Sequence, residues 1–401
     1  MSTQTDTLKL DWRIISWLRG LAALYVTINH CRGRLFSDAM MYAERVNPKE
    51  NWQWWEHTQM FIMNHTSLGS EFVILFFLLS GFSIAHSLKG TTNISTFYKR
   101  RLIRLYPPYI LGIAWSFVVL LLIWAYAPDI YYNAREGYEP FKVIFEKIAY
   151  LPTLLSNLLY MPKDNYLTHQ YWSLPYEVIF YLAAPWIIKH FRIAGITMLV
   201  IYIACLLLFG IGHKTPGEHN IFFLFGNEYG IYFIVGILFY KYKDWLYANF
   251  KLNKIVSIFA ALAIFEVLII TKGYLFEGMP NKITGALTIV LTYILLFSAL
   301  KYKMRINWLE KVGDYSYTLY VTHWATIHAY KIVALKLGLG FHYIDNLFFW
   351  YSGVLVCLGT SYLMYFMAER PGNKYIERLR KQPANIKYKQ PSTPVLGAEV
   401  A

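Results

Sequence analysis

The stretch Glu71-Phe-Val-Ile-Leu-Phe-Phe-Leu-Leu-Ser-Gly-Phe-Ser-Ile-Ala-His-Ser-Leu88 decides the fold class of this chain. It is almost entirely apolar, and its length approaches the ~20 residues that an α-helix needs to cross a bilayer. Of all 401 residues, 56% are hydrophobic, 18% are aromatic and only 15% are charged, and the mean hydropathy is +0.34. A soluble protein carries roughly 25% charged residues. The composition therefore excludes an ordinary cytosolic enzyme and predicts a polytopic membrane protein.

Apolar segments of similar length recur along the chain. The predicted spans lie near residues 12–30, 71–88, 106–127, 171–188, 193–212, 221–240, 252–271, 283–300, 313–335 and 347–368. A further segment, 143–160, is weaker because it carries Glu146, Lys147 and Pro152. If 143–160 does not span, most Lys and Arg residues lie on the cytoplasmic side, as the positive-inside rule requires. We therefore predict an all-α polytopic membrane protein with about ten transmembrane helices, cytoplasmic termini and one re-entrant or interfacial helix.

We predict one integral-membrane domain, residues 1–375, followed by a basic, disordered cytoplasmic tail, residues 376–401. The chain shows no internal repeat and no hydrophilic stretch long enough for a second domain. The tail contains Pro383, Pro391 and Pro394, which favours disorder.

The net charge of +14 would indicate nucleic-acid binding in a soluble protein. Here the basic residues lie mostly between apolar segments, so topogenic charge is the better interpretation and no nucleic-acid partner is predicted. The three cysteines are too few for a disulfide framework.

Two ionisable residues in the first predicted helix are candidates for function. Arg19 and His30 are separated by three helical turns plus about 20°, so they share one face and lie roughly 16 Å apart. Ionisable groups inside a membrane are costly and usually face a protein interior or a wet cavity. The residues between them on this face are small or polar, and predict a helix that lines a narrow channel: Ala22, Ala23, Val26 and Thr27. The structural alternative is that Arg19 pairs with a carboxylate and His30 is an interfacial histidine.

Other predicted helices also carry polar residues. Glu177 is a candidate counter-ion of Arg19, or a group that positions His30. His323 is a candidate to line the same cavity, although a core histidine bonded to a carbonyl explains it about as well. Three further buried candidates are His86, Glu228 and Glu266, of which the last is interpreted as structural.

A dense basic cluster occurs at Tyr98-Lys-Arg-Arg-Leu-Ile-Arg-Leu-Tyr-Pro-Pro108. Arg101 and Arg104 are one helical turn apart and share a face. With Lys99 and Arg100 they form a cationic site at the predicted cytoplasmic mouth of the protein. Guanidinium pairs suit phosphate or pyrophosphate. The alternative, which the charge run alone favours, is a topogenic cluster that also touches anionic lipid.

Five motifs, in this order, resemble those of the acyltransferase-3 family of polytopic membrane acyltransferases. They are Arg19-Gly-Leu-Ala followed by His30, Phe76-Phe-Leu-Leu-Ser80-Gly-Phe82, Arg101-Leu-Ile-Arg104 followed by Leu-Tyr-Pro107, Trp172-Ser-Leu-Pro-Tyr-Glu177 and Ser316-Tyr-Thr-Leu-Tyr-Val-Thr-His323. Glu369-Arg-Pro371 closes the matching region, which runs from about 10 to 375. One departure is Pro175-Tyr176, where the family more usually has a small polar residue and Val before Glu177.

The resemblance implies transfer of an acyl group, most often acetyl, from acyl-CoA as donor substrate to a hydroxyl, without a metal. Together with the ionisable residues and the basic cluster described above, the resemblance yields three sets of candidate residues. They are catalytic His30, Arg19 and Glu177; donor-binding Arg101, Arg104, Arg100 and Lys99; and cavity-lining Ser80, Ser316, Tyr317 and His323.

We expect His30 to act as general base on the acceptor hydroxyl, because imidazole titrates near neutral pH. Arg19 or a neighbouring donor would stabilise the thioester oxygen as charge develops, and Glu177 would orient or charge-balance the pair. A covalent alternative uses an acyl-His or acyl-Cys31 intermediate. Cys31 lies about 100° around the helix from His30, which disfavours that residue.

The expected acceptor, on the family resemblance, is a bacterial surface polysaccharide or its lipid-linked precursor, handled at the inner membrane. Some family members carry an extracytoplasmic SGNH hydrolase-like domain that this sequence lacks. The protein is therefore expected to act alone or to pass the acyl group to a separate extracytoplasmic transferase. The rival function is a secondary transporter or a flippase for lipid-linked glycans, because buried Arg, His and Glu residues also suit proton-coupled transport.

Overall fold

The computed structural model describes residues 8, 10–35, 42–44, 46–89, 93–133, 139–161, 166–210, 229–275, 282–341 and 347–381, and every regular element in these ranges is helical. The α-helices are α1 Trp12–Leu35, α2 Trp54–Asn64, α3 Gly69–Lys89, α4 Ile94–Tyr126, α5 Pro128–Tyr132, α6 Phe141–Ala149, α7 Leu151–Leu158, α8 Leu174–Lys189, α9 Phe191–Phe209, α10 Gly230–Lys241, α11 Lys243–Asn249, α12 Lys254–Ile270, α13 Lys282–Tyr302, α14 Asn307–Asp314, α15 Ser316–Lys336, α16 Leu347–Met367 and α17 Glu369–Lys381. Two 3-10 helices, Lys49–Asn51 and Tyr166–Ser173, and a π-helical turn, Thr271–Leu275, complete the described elements.

Six of the described helices, α3, α4, α9, α12, α13 and α16, are long and apolar enough to cross a membrane. The helices α1 and α15 have 24 and 21 residues and are also long enough. They are less apolar because they carry the polar groups singled out above, Arg19 and His30 in α1 and His323 in α15. The predicted all-α polytopic membrane fold is therefore confirmed. The number of spans and the cytoplasmic position of the termini remain predictions.

Two predicted spans differ in their details. The span predicted at 313–335 is interrupted at Tyr315, which separates the amphipathic helix α14 from α15. The first part of the span predicted at 221–240 lies outside the described residues, and the helix is seen from Gly230 onwards. The last helix, α17, continues to Lys381, past the domain boundary predicted at 375, and the rest of the predicted tail lies outside the described residues.

The weak segment between α5 and α8 enters the bundle without crossing it. It forms two helices, α6 and α7, of nine and eight residues, and neither reaches the ~20 residues of a membrane span. The ring of Phe141 lies 6.2 Å from that of His328, whereas the hydroxyl of Tyr160 lies 3.5 Å from that of Tyr317, eleven residues earlier in α15. The chain then turns back, because Leu167 belongs to the same apolar cluster as Phe141. Of the two predicted arrangements, the structure favours the re-entrant one.

The helices α3 and α10 pack very closely near the site. A Cβ atom on Gly81 would lie 2.2 Å from the carbonyl oxygen of Phe233, and one on Gly236 would lie 2.1 Å from that of Leu78. Small residues that let two backbones approach are the usual solution for helix pairs in membranes. This contact fixes α3, which carries Ser80 and one wall of the cavity described below.

Replacing Gly236 by alanine should destabilise the protein by about 1–3 kcal/mol, the usual cost of overpacking. The added Cβ would collide with backbone rather than with a movable side chain. Gly359→Ala in α16 is the matched control, because its Cβ would meet no atom within 4 Å. Thermal unfolding of the detergent-solubilised variants measures the difference, and equal melting temperatures for the two variants would contradict the predicted collision.

Candidate active site

A cavity of about 380 Å³, counted with its opening, lies among α1, α3, α8 and α15. Its polar lining comes from Arg19, Ser173, Glu177, Ser316, Tyr317 and Tyr320, and its apolar lining from Val73, Phe76, Phe77 and Leu174. We call it the Arg19 chamber. Four residues that the sequence predicted for the site, on three helices far apart in the chain, therefore meet at one cavity: Arg19, Glu177, Ser316 and Tyr317.

Glu177 is held in place by two hydroxyl groups. The hydroxyl of Tyr181 donates a short hydrogen bond to Oε1 of Glu177. Because that proton is used, the bond between Ser80 Oγ and the Tyr181 hydroxyl, 2.8 Å long, must be donated by Ser80. Ser80 also lies 3.4 Å from Oε1 of Glu177. Ser80 thus supports Glu177 through Tyr181 and is not among the residues that line the chamber.

Arg19 lies in a cluster of charged groups. Arg104, Glu177 and Glu369 are close enough to interact with it electrostatically, but Arg19 forms no salt bridge with any residue in the described part of the chain. Arg101 lies nearby, since its guanidinium is 5.1 Å from the ring centroid of Tyr181. Arg101 and Arg104 therefore lie near Arg19, although neither is among the residues that line the chamber. Asp314 also interacts with Arg104, so three guanidinium groups face three carboxylates in this region.

Glu369 is a member of this cluster that sequence reasoning did not place in the site. Its Oε2 accepts hydrogen bonds from the backbone N–H and the hydroxyl of Thr318, at 3.0 and 2.7 Å, and so caps the N-terminus of α15. Its Oε1 is buried and has no hydrogen-bond partner among the described residues. Burial raises the pKa of the Glu369 carboxyl, and Arg104 and Arg19 act in the opposite direction. The closing motif Glu369-Arg-Pro371 was the sequence feature from which its place in the site could have been inferred.

The other two basic residues of the cluster point elsewhere. Lys99 is exposed, and its Nζ lies 5.6 Å from the ring centroid of Tyr375 in α17. Nε of Arg100 is buried and has no hydrogen-bond partner among the described residues. Neither residue lines the chamber, and their predicted contact with the donor remains a prediction.

His30 and His323 form a directly bonded pair. Nδ1 of His30 lies 2.8 Å from Nε2 of His323, and the two rings are nearly parallel, with centroids 5.1 Å apart. Nδ1 of His323 lies 2.8 Å from the carbonyl oxygen of Leu319. Of the two interpretations of His323, the core histidine bonded to a carbonyl fits these contacts, whereas His323 is not among the residues that line the chamber.

These two hydrogen bonds fix the tautomers of the pair. A carbonyl oxygen only accepts, so Nδ1 of His323 carries a proton, which it donates to Leu319. His323 is fully buried, and desolvation disfavours a charged imidazolium there. Its Nε2 is then a lone pair that accepts from the Nδ1–H of His30. The basic lone pair of His30 is consequently on Nε2, and His323 orients the ring as the partner histidine or carboxylate does in other acid–base sites.

The channel predicted between Arg19 and His30 is wrong for the described structure. The four residues predicted to line it, Ala22, Ala23, Val26 and Thr27, are each at most 1% exposed. Small residues on this face let neighbouring helices approach α1 closely, as Gly20 does with the backbone of Leu309, rather than leaving an open path. The chamber and the histidine pair are therefore separate along α1.

The remaining candidates lie away from the chamber. Glu266 accepts a hydrogen bond from Nε2 of His65 at 3.0 Å, as fits its interpretation as structural. Nδ1 of His86 lies 3.1 Å from the hydroxyl of Tyr240. Glu228 lies outside the described residues. Cys31 is fully buried, with its Sγ 3.9 Å from that of Cys357.

No three His, Cys, Asp or Glu side chains of the described residues come together as ligands for a metal ion. The groups present, guanidinium, carboxylate, hydroxyl and imidazole, suit binding of an anionic substrate at one end and acid–base chemistry at the other.

Comparison with known proteins identifies a family. A family model described as an acyltransferase domain, that of the acyltransferase-3 family, matches residues 12–366. A curated relative, the acyltransferase MdmB of Streptomyces mycarofaciens, is 31% identical over 127 residues. That alignment covers 31% of this chain and only 30% of the relative. No solved structure matches the chain significantly.

The fold, the chamber and the histidine pair first define a class, an integral membrane protein with a charged cavity and a bonded imidazole pair in its helical bundle. Because the family model covers most of the chain, the protein belongs to the acyltransferase-3 family.

Proposed function

We propose that this protein transfers an acyl group, in the simplest case acetyl, from cytoplasmic acyl-CoA to a hydroxyl of an extracytoplasmic acceptor. The observation that carries the proposal is the chain of hydrogen bonds from Leu319 through His323 to His30, which places a basic nitrogen on His30. A base of this kind is what an alcohol needs in order to attack a thioester at neutral pH.

The reaction is proposed to run at His30. Nε2 of His30 takes the proton of the acceptor hydroxyl while its oxygen bonds to the thioester carbon. Arg19 lies roughly 16 Å from His30 along α1, so it holds the thioester in the chamber before the reaction, and a donor beside His30 stabilises the negative charge that develops on the carbonyl oxygen. The carbon–sulfur bond then breaks, and the CoA thiolate takes the proton from the imidazolium of His30. Glu177, fixed by Tyr181, balances the charge of Arg19.

The donor is proposed to bind from the side of Arg101 and Arg104. Phosphate and pyrophosphate groups suit two guanidinium groups one helical turn apart, and Arg101 and Arg104 lie near Tyr181 and Arg19 respectively. The Arg19 chamber is narrow and opens among four helices, so it is proposed to take the acylated end of the donor rather than its nucleotide. Its apolar wall, Val73, Phe76 and Phe77, fits the acyl group.

The acceptor is proposed to be a bacterial surface polysaccharide or its lipid-linked precursor at the inner membrane. Membership of the acyltransferase-3 family supports this assignment, and so does the predicted position of His30 toward the outer boundary of the bilayer. A separate extracytoplasmic transferase remains a proposed partner if the polysaccharide is not the direct acceptor.

Reconstituted wild-type protein tests the proposal. Acetyl-CoA labelled in its acetyl group is supplied on the side of Arg104, and a lipid-linked glycan fraction on the other. Covalent label in the glycan supports acyl transfer. If the protein neither binds nor turns over any acyl-CoA, or accumulates glycan without modifying it, the transporter or flippase alternative replaces the proposal.

The role of His323 as a positioning residue has its own test. His323→Leu should lower the turnover number strongly, because the Nδ1–H of His30 loses its acceptor and the ring loses its orientation. His323→Gln should recover much of the loss, since the amide oxygen can accept the same hydrogen bond. The pH dependence of turnover should stay at wild-type values in the Gln variant. Equal losses in both variants would indicate a packing role only.

A further inference from the structure

Two aromatic side chains lie between the Arg19 chamber and the histidine pair. Phe76 and Tyr320 both line the chamber, and their rings are 6.3 Å apart at an interplanar angle of 68°. The ring of Tyr320 is also 6.0 Å from that of His323, three residues further along α15. Phe76 packs against both large apolar clusters of the bundle. The two rings therefore close the chamber on the side of His30.

Tyr320 is held by directed hydrogen bonds. Its hydroxyl donates to the carbonyl oxygen of Gln170 at 2.6 Å. Because this uses the only proton of the hydroxyl, the 2.7 Å bond to Ser173 must be donated by the serine. The 3-10 helix that carries both partners is itself anchored, since Tyr171 donates to the carbonyl oxygen of Val321 at 2.7 Å. Tyr320 is thus bonded to this 3-10 helix at two points.

The exposed part of the His30 side chain does not face the chamber. It is partly exposed, yet it does not line the chamber. Its ring meets that of Trp324 edge-on at 4.8 Å, and Trp324 in turn neighbours the exposed His169 at 5.3 Å and the buried His328 at 6.3 Å. The exposed part of His30 therefore lies outside the chamber.

We propose that Phe76 and Tyr320 form a gate that separates a thioester in the Arg19 chamber from water on the side of His30, and so select an acceptor hydroxyl over water. Phe76 is the movable half, because its side chain makes no hydrogen bond, and Tyr320 is the fixed half. The proposal rests on the proposed acyl transfer. Exclusion of water until the acceptor is bound is a general way to prevent hydrolysis of a reactive intermediate.

The reaction that the gate prevents is simple hydrolysis. A water oxygen would bond to the thioester carbon while His30 takes one of its protons. The carbon–sulfur bond would break, and the thiolate would take that proton back. The products are a free carboxylic acid and the CoA thiol, so the acyl group would be lost without reaching the acceptor.

Phe76→Ala tests the gate in the reconstituted protein with acetyl-CoA. Hydrolysis without acceptor should rise on the order of tenfold or more relative to transfer, because a closed site normally keeps water from the reacting carbon. Tyr320→Phe keeps the ring and loses both hydrogen bonds, so a smaller rise in the same ratio is expected. Phe72→Ala is the matched control. It removes a phenylalanine ring one turn earlier in α3, but Phe72 stacks on Tyr25 and does not line the chamber, so the ratio should stay at the wild-type value.

Thiol labelling tests the barrier without acyl transfer. In a chain whose three cysteines are replaced by alanine, the thiol of a His30→Cys variant is exposed to a membrane-impermeant maleimide from either side of sealed vesicles. It should react only from the side of His169. With Phe76→Ala added, it should also react from the side of Arg104. Melting temperatures of the solubilised variants confirm that they are folded.

The outcomes separate the two proposals. One-sided labelling that becomes two-sided with Phe76→Ala supports the gate, even if the wild-type protein has no acyl transfer. Labelling from both sides while Phe76 is present overturns the gate. So does an unchanged ratio of hydrolysis to transfer in Phe76→Ala, if the wild-type protein transfers acyl groups normally. Absence of any acyl-CoA turnover in the wild type overturns the proposed function alone.

Discussion

Replacing His30 by alanine should lower the turnover number for acyl transfer by roughly 10²- to 10⁴-fold, the range that a positioned general base contributes. Acyl-CoA affinity should stay unchanged, because the guanidinium cluster lies beside the Arg19 chamber and His30 does not line that chamber. Turnover is measured by transfer of labelled acetyl groups to the acceptor, and affinity by calorimetry on the purified protein. A strongly reduced turnover number with unchanged acyl-CoA affinity would indicate that His30 acts in the acyl-transfer step.

His57→Ala is the control for this variant. His57 lies on α2 against the ring of Trp52, at 5.3 Å, and it is not part of the chamber or the histidine pair. It should retain wild-type turnover. If His30→Ala also kept wild-type turnover, the base would have to be another group and the assignment of Nε2 would be wrong. If His30→Ala lost acyl-CoA binding as well, His30 would belong to the donor site instead.

Hydropathy and charge were sufficient to predict the helical membrane fold, because lipid imposes the same length and apolarity on every span. They were also sufficient to predict that Arg19 and Glu177 belong to one site, since each is costly in a membrane unless it shares a cavity with other polar groups. The structure places both on the wall of one chamber. For the weak segment at 143–160, the positive-inside rule predicted that it does not span, and its two short helices agree with that prediction.

What the sequence could not predict depends on how the helices pack against each other. The small residues between Arg19 and His30 are equally compatible with an open channel and with close packing, and only the neighbours of α1 decide between them. The bond from His30 to His323 joins residues 293 positions apart, and nothing in either motif specifies the ring nitrogen involved. The place of Glu369 in the site could not be predicted for the same reason, because its partner Thr318 is on another helix.

Replacing Arg101 and Arg104 together by alanine should weaken acyl-CoA binding by roughly 100-fold, if each arginine supplies one hydrogen bond to a phosphate, worth about 1.5 kcal/mol or more. The effect should fall on the Michaelis constant for the donor more than on the turnover number, because the phosphates are remote from the reacting carbon. Binding should also become less sensitive to salt. Calorimetry and steady-state kinetics at two ionic strengths measure these changes.

The double variant Lys99→Ala/Arg100→Ala removes the same net charge from the same turn of α4 and is the decisive control. Lys99 lies over Tyr375, whereas Arg101 lies over Tyr181 and Arg104 interacts with Arg19. If the arginines bind phosphate directly, only the Arg101/Arg104 pair should lose affinity strongly. If both pairs lose the same modest amount, the cluster attracts the donor, or anionic lipid, through its total charge. In that case the donor phosphates are held by other residues.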